Sequence, residues 1–539
     1  IEVSAVKSYS LYVMLKDAQS LSDTDLSAVH EVSVKASRPV FLLQALREKL
    51  AGLKGENGCA LADEYNMKNN LPENLEFIFG PPGTGKTTYL ANKVLMPLMQ
   101  QKEDVRVLVL TPTNKAADVI TAKIMESMGS DMSYTKWLAR FGVTGDELIE
   151  NSEVFRDKTF DPRKCRRCVT VTTIARFAYD FFMPVGERLY IDALKWDYIV
   201  IDEASMIPAV QIVYPLFRKT PKKFIIAGDP FQIAPVTTVD IWADENIYTL
   251  TELNSFTAAT ATPHDYPVVR LTTQYRSTPE IGEIFSNFAY GGILHHHRKS
   301  ESRRDLHLDG IIDMNSLNIL KFPVSKYESI YRAKRLSGTT PYHIYSAIFT
   351  AEFANYLCTV LKSQNPGVRF NIGIIAPYRA QASLIDRLMS FMPLPLEINV
   401  QVGTIHGFQG DECDIVFVVL NTPPSISASP KLFLNKQNIL NVAVSRARDY
   451  IFVVMPDDRT DNVCRLQKVK KIEELMRRSG HFTERTTAEI EQLMFGDEKF
   501  IENNSFATSH QSVNVYGHPE KYYEIRSEDT AIDIQVHRD

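Results

Sequence analysis

The sequence predicts an α/β protein with two tandem lobes, each built on a parallel sheet. Short β-rich apolar runs alternate with longer stretches of helical period through most of the chain. The runs fall into two sets separated by a long, less regular middle. The length of 539 residues, with 44% hydrophobic, 23% charged and 10% aromatic residues, suits several packed cores and leaves wholesale disorder out. At roughly 100–200 residues per domain, three or four domains are expected.

In chain order, residues 1–70 form an accessory region with one helical pattern, VFLLQALREKLAGL (40–53). The first lobe is expected over 71–255. Its strands are LEFIF (75–79), VRVLVL (105–110), CVTVTTI (168–174), YIVID (198–202) and KFIIAGD (223–229). Helical patterns at 87–100 and 115–128 lie between them, and a charged, irregular insertion is expected at about 129–167. The second lobe is expected over 256–456, with FNIGIIAPY (370–378), NVQVGTI (399–405), CDIVFVVLN (413–421) and DYIFVVMP (449–456). Residues 295–340 read as an insertion, opening on a histidine triplet, His295–His297, that reads as loop. A C-terminal accessory region, 457–539, begins as helix and ends in the strand-like pieces YYEIR and AIDIQVH. No internal repeat or low-complexity tract interrupts this pattern.

Charge narrows the partners. With 60 Lys+Arg against 65 Asp+Glu, the net charge is -5, which excludes a protein that coats nucleic acid by bulk attraction. Any such grip is local. No run approaches the roughly 18 apolar residues of a membrane span, so no membrane partner is expected. Ile1 is not an initiator methionine, so a processed or excised chain is expected, and the opening lacks the pattern of a secretory signal. Six scattered cysteines point to a reducing, cytoplasmic setting. Cys165-Arg-Arg-Cys168 has half the spacing of a zinc site but no matching second pair, and reads as two small residues near a strand start.

The strongest motif is Gly80-Pro81-Pro82-Gly83-Thr84-Gly85-Lys86-Thr87, followed by Thr88, between a strand and a helical pattern. Glycines let the backbone turn its N–H groups inward as an anion nest, and the helix N-terminus adds its dipole. Lys86 is placed for the β/γ-phosphates of ATP and the Thr87 hydroxyl for Mg²⁺. YIVIDEAS ends a buried strand in Asp202, a candidate metal ligand, and Glu203, a candidate activator of the hydrolytic water. Gly228-Asp229-Pro-Phe-Gln232 sits at another strand end, where the Gln232 amide can donate to a γ-phosphate and accept from water.

With Gln274-Tyr275-Arg276, VGTIHGFQGDE (402–412) and NVAVSRAR (441–448), these motifs resemble superfamily 1 helicases, in the Upf-like branch. The resemblance covers about 71–456 and keeps the family's motif order. It implies two RecA-like P-loop NTPase lobes and an ATP- and Mg²⁺-dependent translocase or helicase on single-stranded DNA or RNA, running 5′-to-3′. It assigns Arg276 and Arg446 to the γ-phosphate, reached from the second lobe. Tyr275 is assigned to stacking on adenine, Gly410 and Glu412 to coupling nucleotide and strand, and Gln44 to reading adenine. The strand contacts it implies are Pro112, Thr113, Asn114, Thr172 and Thr173 in the first lobe. In the second lobe they are Thr404, His406, Tyr378 and Arg379. Basic clusters at Arg163–Arg167, Arg298–Arg304 and Lys468–Arg478 are flanking candidates.

Two other functions stay open. The motor could act as an ATP-gated clamp or sensor in a larger assembly, with protein partners on 1–70, 295–340 or 457–539. It could also belong to a helicase–nuclease fusion, with Asp529, Asp533 and Gln535 as a faint carboxylate cluster.

Overall fold

Runs such as Val105–Thr111 are apolar on both faces, and a strand of that kind is stable only inside a sheet covered on both sides. The computed structural model satisfies that demand twice. It describes residues 2–7, 10–14, 40–53, 71–235, 245–253, 265–304, 306–308, 312–327, 329–336, 340–408, 410–421, 423, 432–457, 465–507, 512–517, 521–527 and 532–538. Two units are distinct, Ile1–Ala45 and Leu46–Asp539. The first holds an antiparallel hairpin, Glu2–Lys7 with Ser10–Met14, and the start of helix Val40–Ala51.

Within the second unit, the first sheet has eight strands, parallel throughout. Their spatial order is Val268–Arg270, Leu75–Phe79, Lys223–Gly228, Tyr198–Ile201, Val105–Thr111, Arg167–Thr173, Leu138–Phe141 and Phe155–Arg156. Register brings the functional ends together. Phe79 lies beside Gly228, Ile201 beside both Ile226 and Leu110, and Thr111 beside Thr173. The loops that begin at Gly80, Asp202, Asp229 and Pro112 therefore leave one edge of the sheet, the edge where open α/β sheets bind ligands.

The second sheet is also parallel. Its order is Ile398–Thr404, Phe370–Ala376, Cys413–Val419, Ala447–Pro456, Leu317–Phe322 and Phe482–Thr486. A separate four-stranded antiparallel sheet, Ser505–Ala507, Ser512–Gly517, Lys521–Ser527 and Ile532–Arg538, closes the chain. Helices cover both parallel sheets, and one continuous core runs from Phe77 and Phe79 through Phe285 and Phe288 of helix Pro279–Ala289 to Leu317 and Val453.

Four expectations are corrected here. The first lobe does not end at 255, because Val268–Arg270 is an edge strand of its sheet; three residues are too few to show a period. Residues 129–167 are not a pure insertion, since Leu138–Phe141 and Phe155–Arg156 extend that sheet. Residues 295–340 contain an interior strand of the second sheet, Leu317–Phe322. Its sequence hides this because Lys321 is buried, with its ammonium 2.5 Å from Glu473. Finally, helix Ile344–Gln364 is long and apolar enough to cross a membrane by length and composition alone. It is the core helix of the second lobe, with 83% of its most apolar stretch buried, as expected of a helix apolar all round.

Candidate nucleotide site between two lobes

Strand Leu75–Phe79 delivers the glycine-rich loop, and the Gly80 N–H is fixed to the Gly228 carbonyl at 3.0 Å. Gly83 and Gly85 have φ of 71° and 76°, a region that disfavours side chains. A Cβ on Gly80 would sit 2.7 Å from the Lys86 Cβ, and one on Gly83 would sit 2.7 Å from the Arg276 Cβ. The loop thus needs glycine for its turn and for the approach of Arg276. Helix Lys86–Tyr89 follows, widens into a π turn at Leu90–Leu95, and resumes as Met96–Gln100.

The loop faces a cavity of about 790 Å³ between the lobes. All of Gly80–Thr88 lines it, with Asp202, Glu203, Gln232, Tyr275, Arg276, Gly410, Glu412 and Arg446. The cradle fits a nucleotide triphosphate with Mg²⁺: backbone N–H groups and an ammonium stand opposite a buried carboxylate, beside the Thr87 hydroxyl.

Lys86 is buried and donates to Asp202, and to Glu203 Oε1 at 2.7 Å. Burial would lower its pKa, but the Asp202 and Glu203 carboxylates outweigh burial and hold it above the ordinary lysine value. Asp202 is raised, first by its own burial and then by repulsion from Glu203, with Lys86 opposing both. Glu203 has φ 52°, a left-handed backbone rare outside glycine, which turns its carboxylate back toward Lys86.

Gln232 is buried, and its amide nitrogen donates to Asp229 Oδ2 at 3.0 Å. Burial pushes Asp229 up to about 6, against hydrogen bonds from Tyr290, the Phe231 N–H and Gln232.

Arg276 sits where the chain passes from one lobe to the other. Its chain segment leaves the first sheet, and the Tyr275 N–H donates to the Gly83 carbonyl at 2.8 Å. Its guanidinium reaches the second lobe, with Nε 2.7 Å from Glu412 Oε2 and Nη1 3.0 Å from the Ser445 carbonyl, and its own carbonyl accepts from Arg298 at 2.8 Å. Gln274 Oε1 accepts from the N–H groups of Arg276 and Ser277, and its Nε2 lies 3.0 Å from the ring of His296. The histidine triplet is therefore not plain loop: His295–His296 is a short strand paired with Thr273–Gln274. Exposed Tyr275 has its ring centroid 4.8 Å from that of His297.

Arg446 is wholly buried and donates to the carbonyls of Val442 and Asp411 at 3.1 and 3.2 Å. Burial first, and the neighbouring Arg276 second, push its pKa down to about 9. Glu412 bridges Arg276 and Arg448, 2.6 Å from the latter. Those two cations hold its pKa below the usual carboxylate value despite burial. Gln44 is an exposed residue of helix Val40–Ala51, in the first unit.

The expected strand contacts divide. Thr113 caps helix Asn114–Met128, its Oγ1 accepting from the Ala116 N–H at 3.1 Å, and it also lines the nucleotide cavity, as does His406. Asn114 leans on Arg140, whose buried guanidinium pairs with Asp118 at 2.8 Å. Thr172 is wholly buried and Thr173 nearly so, which removes Thr172 from the reach of a strand lying across the surface. Pro112 and Thr404 are half-buried at strand ends, and Arg379 is exposed at a helix start. Phe433, which sequence reasoning missed, joins Tyr378 and His406, with ring centroids 5.9 Å from each.

The basic clusters are largely committed to local partners. Arg163 pairs with Asp161 and Glu187, Arg298 with Asp449, Arg304 with Asp414, and Arg477 with Glu473 and Glu484. Cys165 and Cys168 are free, and no cluster of three metal-ligating side chains exists among the described residues. Asp529, Cys59 and Cys464 lie outside the described residues.

A phosphate-binding loop on one parallel-sheet lobe, facing Arg446 of a second such lobe with Arg276 between them, defines an ATP-hydrolysing P-loop NTPase of two RecA-like lobes. Family models described as AAA domain match residues 64–238 and 253–457, one on each lobe. The chain is 24% identical over 437 residues to the DNA replication ATP-dependent helicase/nuclease dna2 of Schizosaccharomyces pombe, covering 76% of this chain and 27% of that protein. It is 25% identical over 410 residues to the RNA helicase Mov10l1 of Mus musculus, covering 70% and 32%. The ATP-dependent helicase upf1 of S. pombe is 27% identical over 420 residues, covering 71% and 43%. The chain thus spans between about a quarter and two fifths of the length of these relatives. Together these matches support a superfamily 1 helicase of the Upf-like branch.

Proposed function

We propose that the chain is an ATP- and Mg²⁺-dependent translocase on single-stranded nucleic acid, with 5′-to-3′ helicase activity. The observation that carries this reading is the single cavity lined by Lys86, Asp202 and Glu203 from the first lobe and by the guanidinium groups of Arg276 and Arg446. Catalysis of phosphoryl transfer is mainly positioning and charge stabilisation, and this set supplies both.

Lys86 exchanges its bonds to Asp202 and Glu203 for the β/γ-phosphates. That exchange frees Glu203 to orient the attacking water and accept its proton. Asp202 and Thr87 would hold Mg²⁺, which supplies charge neutralisation on the phosphates. Gln232 bridges the γ-phosphate and the water. Arg276 and Arg446 stabilise the charge that develops as the bond breaks. Because the two lobes share the site, binding and hydrolysis alternately tighten and relax the cleft, and loops at Thr113, Tyr378 and His406 pass that motion to the strand. Neutral hydroxyls and aromatic rings suit a grip that ignores sequence and lets go each cycle. The relatives named above include one described for DNA and one for RNA, and the reading covers both substrates.

The test is ATP turnover with matched DNA and RNA single strands, followed by unwinding of duplexes bearing 5′ or 3′ tails. Stimulation together with displacement on 5′-tailed substrates supports the reading. Stimulation without displacement favours an ATP-gated clamp, and turnover indifferent to both strands overturns it.

A further inference from the structure

Behind Gln232 runs a buried chain of polar groups that crosses from one lobe to the other. Gln232 donates to Asp229 Oδ2 at 3.0 Å, and the Tyr290 hydroxyl donates to the same oxygen at 2.6 Å. Asn441 Nδ2 then donates to the Tyr290 oxygen at 2.7 Å and to the Phe231 carbonyl at 2.8 Å. Asp229, Phe231 and Gln232 form the loop after a first-lobe strand. Tyr290 follows helix Pro279–Ala289, and Asn441 lies on helix Gln437–Val444, both packed on the second lobe.

The surroundings make this chain more than filler. Asp229 and Asn441 are fully buried, and Tyr290 is nearly so. The Tyr290 ring sits between Phe79, at the foot of the phosphate loop, and Phe231, with centroids at 6.1 and 5.5 Å. Polar atoms in such an aromatic box are costly, the Asn441 Oδ1 being left without a hydrogen-bond partner, and apolar side chains would fill it more cheaply. What the polar chain adds is direction. Tyr290 fixes which Asp229 oxygen is occupied, and that oxygen orients the Gln232 amide. Asn441 lies on the helix that ends at Val444, and Arg446, just past that end, donates its Nε to the carbonyl of Val442, the residue after Asn441.

We infer that Tyr290 and Asn441 are positioning residues for hydrolysis: through Asp229 they set the Gln232 amide and tie it to the helix whose Val442 carbonyl holds Arg446, so that both engage the γ-phosphate together. This rests on the ATP-hydrolysis reading above. Neither side chain lines the nucleotide cavity, so neither touches substrate.

The test compares the full chain with Tyr290→Phe, Asn441→Leu and the double variant. Tyr290→Phe removes one oxygen and leaves the ring packing in place. Losing one buried hydrogen bond aimed at the reacting groups should lower kcat about tenfold, with KM for ATP within about twofold. The double variant should lose no more than the worse single, because one chain is cut twice. Affinity for ADP with aluminium fluoride, which mimics the transferring phosphate, should drop about tenfold while affinity for ADP alone holds. Unchanged kcat with a lowered melting temperature, or losses that multiply in the double variant, would overturn the inference. If Asn441→Leu does not fold, Tyr290→Phe still carries the kcat and aluminium fluoride comparisons. A wild-type chain that neither turns over ATP nor binds the mimic would overturn the hydrolase reading itself, a different outcome from active wild type with unaltered variants.

Discussion

Lys115, at the start of the first lobe's helix Asn114–Met128, clasps Asp411 of the second lobe, its ammonium 2.7 and 2.6 Å from the two carboxylate oxygens. The backbone carbonyl of that same Asp411 accepts from Arg446. A surface ion pair therefore bears on the peptide that seats Arg446, to which the proposed mechanism gives the γ-phosphate.

Lys115 is 55% exposed, so the pair contributes less than about 1 kcal/mol to stability. Lys115→Ala should leave the melting temperature nearly unchanged and weaken ATP binding about threefold at ~50 mM salt, with the difference gone near ~1 M. Titrations of a fluorescent nucleotide at both salts check this. A deficit of equal size at both would show that the ion pair is not its source.

Lys86→Ala and Glu203→Gln should both abolish ATP turnover, yet they should differ in stability. Removing Lys86 leaves the Asp202 carboxylate buried against Glu203, at a cost on the order of 3 kcal/mol. In that variant the folded-state pKa of Asp202 rises further above its unfolded value, so the native state binds the extra proton and the variant gains stability as pH falls. Melts at pH 8 and pH 5 should show the gap from wild type narrowing at the lower pH. Full hydrolysis by Glu203→Gln would sink the assigned role of that carboxylate.

Arg276→Ala should cut kcat about 10³-fold while nucleotide still binds, as for an arginine that acts on developing charge. Arg276→Lys should recover little, since a point charge cannot span the Glu412 carboxylate and the Ser445 carbonyl at once. Single-turnover kinetics separate chemistry from binding here. Near-complete rescue by lysine would reduce the residue to a simple positive charge.

His343, which does not line the nucleotide cavity, supplies a separate pH dependence. It caps helix Ile344–Gln364 through Nδ1, which accepts from the Ser346 N–H at 3.1 Å, and burial pushes its pKa down to about 4. The unfolded chain, with a histidine near 6.5, binds a proton that the folded chain refuses. Stability is therefore fully present above pH 6.5 and is lost as pH falls toward 4, by on the order of 3 kcal/mol. His343→Asn keeps a capping acceptor and should flatten that slope in urea titrations between pH 4 and 7. An unaltered slope would place its origin elsewhere.

Much of the site was legible because its chemistry is contiguous. The loop Gly80–Thr87 needs glycines at fixed offsets, and Asp202 and Glu203 close a strand that apolar residues alone define. What stayed hidden depends on distance along the chain or on burial of the unexpected. Val268–Arg270 is too short to carry a period, and Leu317–Phe322, inside what reads as an insertion, conceals a buried ion pair at Lys321. Tyr290 meets Asp229 from 61 residues away, and Asn441 reaches Phe231 across 210. No local propensity encodes such meetings. Thr172, by contrast, matched a motif and turned out to be sealed in the sheet.

The edge strand Val268–Arg270 has one more consequence. The segment it begins never leaves the phosphate loop before reaching Arg276: the Leu271 N–H is tied to Phe79 and the Tyr275 N–H to Gly83. Arg276 therefore senses the loop from the loop's own side, whereas Arg446 senses it from the opposite sheet. In the proposed mechanism the pair would act as a two-key lock, one key held beside the phosphate loop and the other in the opposite sheet, and the charge of the transition state would be met only when both are turned.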